Sequence, residues 1–187
     1  MKWCSLLVLG AVTSLWASAG VSTDWKINPQ KSRLGFTATF EGAEFDGVFK
    51  DFDGNIRFDP DALHDSAFDV SVDVTSADTG SSDLNEGMAL PEWFHFSRYP
   101  RATFTSSSIE RETNTGYEAV GLLEIKGVRK TVRLPFRWQR AGDEARISGD
   151  AILKRTQFNL GDGEWADVNI LGDSVRVWVD LNLVRVP

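Results

Sequence analysis

Apolar residues recur at every second position in one segment of the chain after another. Leu34, Phe36, Ala38 and Phe40 share one parity, with Arg33, Thr37 and Thr39 between them. Phe52, Ile56 and Phe58 form a second series with Gly54 in step, and Phe68, Val70, Val72 and Val74 a third, alternating with Asp69, Ser71 and Asp73. Tyr117, Ala119, Leu123 and Ile125 follow, then Val132, Leu134, Phe136 and Trp138, then Ala145, Ile147, Ala151 and Leu153. The clearest run is Val175, Val177, Val179, Leu181 and Leu183. Period two is the signature of strands with one buried face. Gly42, Asp59-Pro60-Asp61, Asn114-Thr115-Gly116, Lys126-Gly127 and Ala141-Gly142-Asp143 punctuate the runs as turns. Between Phe49 and Phe52 the apolar parity flips, which requires one extra residue and predicts a bulge near Lys50 or Asp51.

One stretch departs from this rhythm. From Ser81 to Phe96 the apolar residues Leu84, Met88, Ala89, Leu90, Trp93 and Phe94 are spaced by threes and fours. That spacing predicts a short helix capped by Ser82 or Asp83, inside a long loop that ends at Tyr99-Pro100. A second irregular stretch, 156–172, carries Gly161-Asp162-Gly163-Glu164-Trp165.

About eight strands, mostly long and antiparallel, favour a closed barrel over a sandwich, because closure removes exposed edges. The expected fold is all-β: a closed antiparallel barrel of about eight strands with a short helix in a long loop, which the family resemblance given below specifies as eight-stranded, up-and-down and lipocalin-like. Strands of about 10 residues span roughly 34 Å, which suits an elongated guest. A chain of 187 residues without repeats or linker-like tracts reads as one domain.

The first segment reads as something other than fold. Lys2 precedes an apolar run from Leu6 to Trp16, and Ala17-Ser18-Ala19 offers the small-x-small pattern of a signal-peptidase site. Residues 1–19 are therefore expected to be a signal peptide, with a secreted mature domain of 20–187, which the resemblance given below places in the periplasm. The apolar run is too short for a membrane-spanning helix. The only cysteine, Cys4, lies within this segment, so the mature domain has no thiol for a disulfide, a metal site or a nucleophile.

The formal charge of −7 argues against a nucleic-acid partner. Against that background Lys126, Arg129, Lys130, Arg133 and Arg137 form a basic cluster, continued by Lys154 and Arg155. They suit either an anionic headgroup at a barrel mouth or a solvated outer face. The two histidines, His64 and His95, lack the companions that zinc needs. Asp51, Asp53, Asn55 and Asp59 resemble a calcium loop, but Ile56 occupies the position that must be glycine. No Gly-x-Ser-x-Gly elbow is present. No catalytic set, metal site or cofactor motif is read. Phe36, Phe40, Phe45, Phe49, Phe52, Phe104, Trp138 and Phe158 occupy strand or strand-edge positions. They either fill an ordinary core or, together with Leu34, Trp93, Phe94 and the polar Arg155, line a ligand cavity. Periodicity does not separate the two.

The chain resembles the YceI-like family of bacterial periplasmic, lipocalin-like proteins. Trp25-Lys26-Ile27, Ser32-Arg33-Leu34-Gly35-Phe36, Gly47-Val48-Phe49, Phe52-Asp53-Gly54, Ile56-Arg57-Phe58-Asp59-Pro60 and Asp78-Thr79-Gly80 carry the likeness in order. Trp93-Phe94 and Tyr99-Pro100-Arg101-Ala102-Thr103-Phe104 continue it. The most specific block runs from Gly121 to Val132, followed by Leu134-Pro135-Phe136 and Lys154-Arg155-Thr156-Gln157-Phe158. The resemblance implies a long apolar pore that takes a polyisoprenoid, such as an isoprenoid quinone or its diphosphate precursor, or a fatty-acid derivative. It further implies a carrier in transient contact with a membrane or a membrane b-type cytochrome; a homodimer is left open. Ser82-Asp83-Leu84 departs from the family's usual Arg-Asp-x-His-Leu pattern after Thr-Gly. Two other readings stand beside the carrier. One is a lipid-modifying enzyme with His95 or Arg155 facing the pore. The other is an interaction protein with a filled barrel.

Overall fold

The computed structural model describes residues 23–186; the expected signal segment lies outside them. The strands are β1 (Asp24–Ile27), β2 (Arg33–Phe40), β3 (Ala43–Phe49), β4 (Phe52–Arg57), β5 (Ala67–Asp73), β6 (Ala77–Asp78), β7 (Arg101–Arg111), β8 (Gly116–Ile125), β9 (Val128–Ala141), β10 (Glu144–Lys154) and β11 (Ser174–Arg185). The helix α1 spans Ser82–Met88. All pairings are antiparallel.

The eleven strands make eight staves, because three staves are each broken in two. β1 and β2 lie end to end along β11, at Leu183–Arg185 and at Arg176–Asp180 respectively. β3 and β4 lie end to end beside β2 and β1, and β5 and β6 beside β4 and β3. From there β7, β8, β9 and β10 follow in chain order, and β11 closes the ring on β1. The fold is the closed, eight-stranded, up-and-down antiparallel barrel that the alternation predicts.

Each break is stitched to its neighbour. The bulge expected at Lys50–Asp51 separates β3 from β4, and both residues donate their backbone N–H to Ser76 Oγ, at 3.1 and 2.9 Å. Ser76 belongs to the 3-10 turn Val74–Ser76 that separates β5 from β6. Val74, which continues the alternation of the preceding strand, is thus the buried pivot of a turn. Between β1 and β2, Ser32 Oγ accepts from Asn182 N at 2.9 Å, and Lys31 O accepts from Asn182 Nδ2 at 2.6 Å. Backbone groups freed by the breaks thereby find side-chain partners.

The helix is real but its cap sits one residue earlier than expected: Ser81 Oγ, not Ser82 or Asp83, accepts from Leu84 N at 3.5 Å. Residues 89–100 continue as turns and lead back to the barrel at β7.

One end of the barrel is solid. Phe58, 1% exposed, meets Tyr117, Phe136 and Trp138 at ring-centroid distances of 5.0, 5.5 and 4.7 Å. Trp25 crosses Trp138 edge-on at 5.2 Å, and its indole N–H donates to Phe58 O at 3.1 Å. Ile27, Ile109, Ala145 and Leu183 complete this plug. Tilted and edge-to-face ring pairs add about 0.5–1.5 kcal/mol each beyond area burial.

Candidate ligand cavity

Above the plug the inward faces of the staves enclose a cavity of about 680 Å³. Each strand contributes by its parity. β2 presents Leu34, Phe36, Ala38 and Phe40; β5 presents Val70 and Val72; β8 presents Ala119, Leu123 and Ile125; β10 presents Ile147, Ala151 and Leu153; β11 presents Val175, Val177, Val179 and Leu181. The space exists because small residues stand opposite large ones. Ala102, Ala119, Gly149 and Ala151 line it, whereas at the plugged end Trp25, Tyr117 and Trp138 occupy the equivalent inward positions. Gly47 illustrates the tightness of the aromatic wall: a Cβ there would lie 2.3 Å from the Phe36 ring. Cavities of roughly 300–1,000 Å³ are the usual size for small-molecule sites.

The open end is furnished by α1, the turns after it, and residues 159–172. Leu84, Gly87 and Met88 of α1, with Trp93, Phe94, Leu160, Trp165 and Leu171, line the mouth. Trp93 packs on Trp165 at 5.8 Å, Trp165 on Phe40 at 6.4 Å, and Phe94 on Phe49 at 6.5 Å. Phe49 in turn meets Phe36 at 5.6 Å, and Phe36 meets Phe45 at 6.3 Å. The polar side chains on the lining are few: Glu44, Thr79, Asp83, Asp150 and Arg155.

Of the residues expected to form the cavity, Leu34, Phe36, Phe40, Phe45, Phe49, Phe52, Trp93, Phe94, Phe104, Phe158 and Arg155 all line it. Trp138 is the exception; it belongs to the plug, against Trp25 and Phe58. Val70, Val72, Leu123, Leu134 and the β11 valines line the cavity as well, and share the inward parity of their strands. Trp165 carries no periodic signal, because a 3-10 turn, Gly163–Ala166, sets its place.

Arg155 is 3% exposed and holds the mouth in shape. Its Nε donates to Gly172 O at 3.2 Å, Nη1 to Leu160 O and Gly161 O at 2.8 and 3.1 Å, and Nη2 to Trp165 O and Leu171 O at 2.8 and 2.9 Å. A guanidinium has five N–H donors, so every one is used on the backbone of the loop that follows it. Burial holds its pKa below the usual guanidinium value, against the opposing pull of Asp173 and Asp162. Gly161, at φ +75°, lets the loop approach: a Cβ there would lie 2.5 Å from Arg155 Nη1. The residue expected to meet a ligand headgroup is thus a structural strut.

The basic cluster faces outward for the most part. Arg129 pairs with Glu124 at 2.6 Å and Arg133 with Glu118. Lys126 ties loops together, donating to Glu92 O at 3.2 Å, Asn159 O at 2.5 Å and Asp162 at 3.3 Å. His64 lies beside Asp65 on the surface, at 3.1 Å. His95 takes a left-handed backbone conformation, φ 53°, in the turns after α1 and does not line the cavity. Among the described residues no three His, Cys, Asp or Glu side chains gather as a metal site.

Comparison with known proteins agrees with this architecture. Protein YceI of Escherichia coli is 31% identical over 162 residues, covering 79% of this chain and 82% of the relative. The crystal structure of Burkholderia cenocepacia BcnA superposes with a TM-score of 0.81 at 32% identity, covering 83% of this chain and 98% of that one. A polyisoprenoid binding domain from Saccharophagus degradans, implicated in plant cell wall breakdown, shares the fold with a TM-score of 0.70 at 17% identity, covering 87% and 98%. The family model for the YceI-like domain matches residues 25–183, and the chain belongs to that family.

Proposed function

We propose that this chain is a periplasmic binding and carrier protein that holds a polyisoprenoid or related amphiphilic lipid in the hollow half of its barrel. An isoprenoid quinone or its precursor, or a fatty-acid derivative, fits the same description. The observation that carries this reading is the cavity itself: about 680 Å³ lined almost wholly by hydrocarbon and aromatic rings. Each methylene moved from water into such a site contributes about 0.8 kcal/mol. A chain therefore gains useful affinity from burial alone. The fold shared with a polyisoprenoid binding domain supports the choice of chain. The Ala17-Ser18-Ala19 sequence supports export. Contact with a membrane, or with a membrane b-type cytochrome as the family resemblance implies, supplies and receives the lipid.

Native mass spectrometry of the protein purified from its source, with organic extraction of the same sample, is the test. The expected result is a stoichiometric long-chain lipid released on denaturation. Repeated recovery of empty protein that also rejects added polyprenols would overturn the reading.

A further inference from the structure

The wall of the barrel is incomplete on one side. β9 and β10 pair only from Glu144↔Ala141 to Ser148↔Arg137. Beyond that point β9 continues to Val128 paired with β8 alone, and β10 continues to Lys154 paired with β11 alone. The gap has a floor and a ceiling. Its floor lies just past the Arg137↔Ser148 pair, where a Cβ on Gly149 would stand 2.3 Å from Pro135 O, and its ceiling is the Lys126 amine, which reaches Asn159 O at 2.5 Å. Pro135 sits on the unpaired stretch of β9. A proline is tolerated within a strand where its missing N–H faces no partner.

The cavity reaches this window. Inward residues of β9 and β10 are Leu134, Phe136, Ile147 and Ala151, so Pro135 and Asp150 have outward parity; both are exposed, yet both line the cavity. The two openings differ in charge. The mouth carries Glu44 and Asp83 on its lining, neither with an ion-pair partner among the described residues, and the cation that lines it, Arg155, is buried with all its donors spent on backbone carbonyls. At the window, Asp150 is matched by Arg176 at 3.2 Å, while Arg129 and Arg133 are matched by Glu124 and Glu118. That leaves Lys130 and Arg137 beside the window as exposed cations without an ion-pair partner among the described residues, whereas Arg140 lies at the plugged end over the Trp25 ring. The unpaired backbone N–H and C=O groups along both edges are further polar partners.

We propose that the window between β9 and β10 is the headgroup port: the apolar chain of an anionic amphiphile lies in the hollow, and its phosphate or carboxylate emerges there rather than at the mouth. This rests on the lipid-binding reading above and adds the class of headgroup and its exit. An acidic, aromatic mouth opposes an anion, whereas the window offers two unmatched positive charges and free backbone donors.

The experiment compares geranylgeranyl diphosphate with geranylgeraniol, the same chain with and without the anion, by equilibrium binding to the full-length protein. Lys130→Glu/Arg137→Glu reverses the window charge at exposed positions, and Glu44→Lys reverses charge at the mouth. The window variant is expected to weaken diphosphate binding relative to alcohol binding by about tenfold, equivalent to about 1.4 kcal/mol. The mouth variant should leave that ratio within about twofold, as a screened surface charge does. Unchanged alcohol binding shows that the variants fold. A ratio that moves at Glu44 and not at the window overturns the port while leaving the carrier reading intact. Failure of both probes to bind the parent protein overturns both.

Discussion

The two ends of this barrel are built from the same strands and do opposite things. At the plugged end, Trp25, Phe58, Tyr117, Phe136 and Trp138 interlock at centroid distances of 4.7–5.5 Å. At the hollow end, Phe36, Phe45, Phe49 and Phe94 are as aromatic, but they meet one another at 5.6–6.5 Å around a void. The difference lies in what stands opposite the rings. In the plug large residues face large residues; in the hollow they face alanine, glycine and valine. Aromatic content therefore says little about whether a barrel is full. Side-chain volume summed across the barrel decides it, since interiors otherwise pack to crystal-like density.

The sharpest way to break this comparison is to remove one ring from each end. Phe58→Ala should cost about 3–5 kcal/mol, because a fully packed ring leaves a cavity behind. Phe45→Ala should cost only about 1–2 kcal/mol, since one side of that ring already faces open space. Urea denaturation of both variants measures the contrast, and equal losses would show the hollow to be filled in solution. Next in size is Arg155→Met, which strands five carbonyls. It should lose about 3 kcal/mol and raise hydrogen exchange across residues 159–172 before the plug responds. Ala151→Trp fills the hollow instead of emptying the plug. Displacing three or four methylenes of guest should weaken polyprenol binding about a hundredfold, while the empty protein keeps its stability within about 1 kcal/mol.

The smallest effect is set by pH. A hydrogen bond from Lys50, with others from Gly80 N–H and Asn85, lowers the Asp78 pKa from 3.8 to about 2. A carboxylate whose pKa is depressed on folding adds stability that is complete above its unfolded value and is lost as pH falls through the folded one. The clasp of β3, β6 and α1 should therefore loosen between about pH 4 and pH 2, with the plug unaffected. Asp78→Asn should lower the unfolding midpoint at pH 7, with a penalty that shrinks steadily as pH falls from about 4 to about 2. A penalty that stays constant across that range would point to shape, not charge.

Much of the barrel was legible because inward and outward residues alternate on β2, β5, β11 and, from Val132 onward, β9. β7 was obscure for a physical reason: a bulge between Ser106 and Ser108 shifts the register, so Ala102 and Phe104 share one parity and Ile109 takes the other. The parity flip at Phe49–Phe52 announced its bulge, but the break between β1 and β2 was silent, since Asn28–Ser32 resembles any polar turn. The cavity walls followed from parity too. What parity could not show was where the hollow stops, so Trp138 looked no different from Leu134. Nor could it show that Arg155 spends its donors on carbonyls. Backbone acceptors leave no mark in side-chain sequence.

The seam of the ring joins β1 to β11, the first strand described and the last, through Trp25↔Arg185 and Ile27↔Leu183. A polypeptide delivered from its amino end has every other stave in hand while this junction still waits for residues near 183. Until then Trp25 and its neighbours have no lid, and the nascent sheet is an open ribbon with two raw borders. Closure of the ring therefore waits on the most distant pairing in the described chain, and until it forms the sheet keeps two unpaired edges.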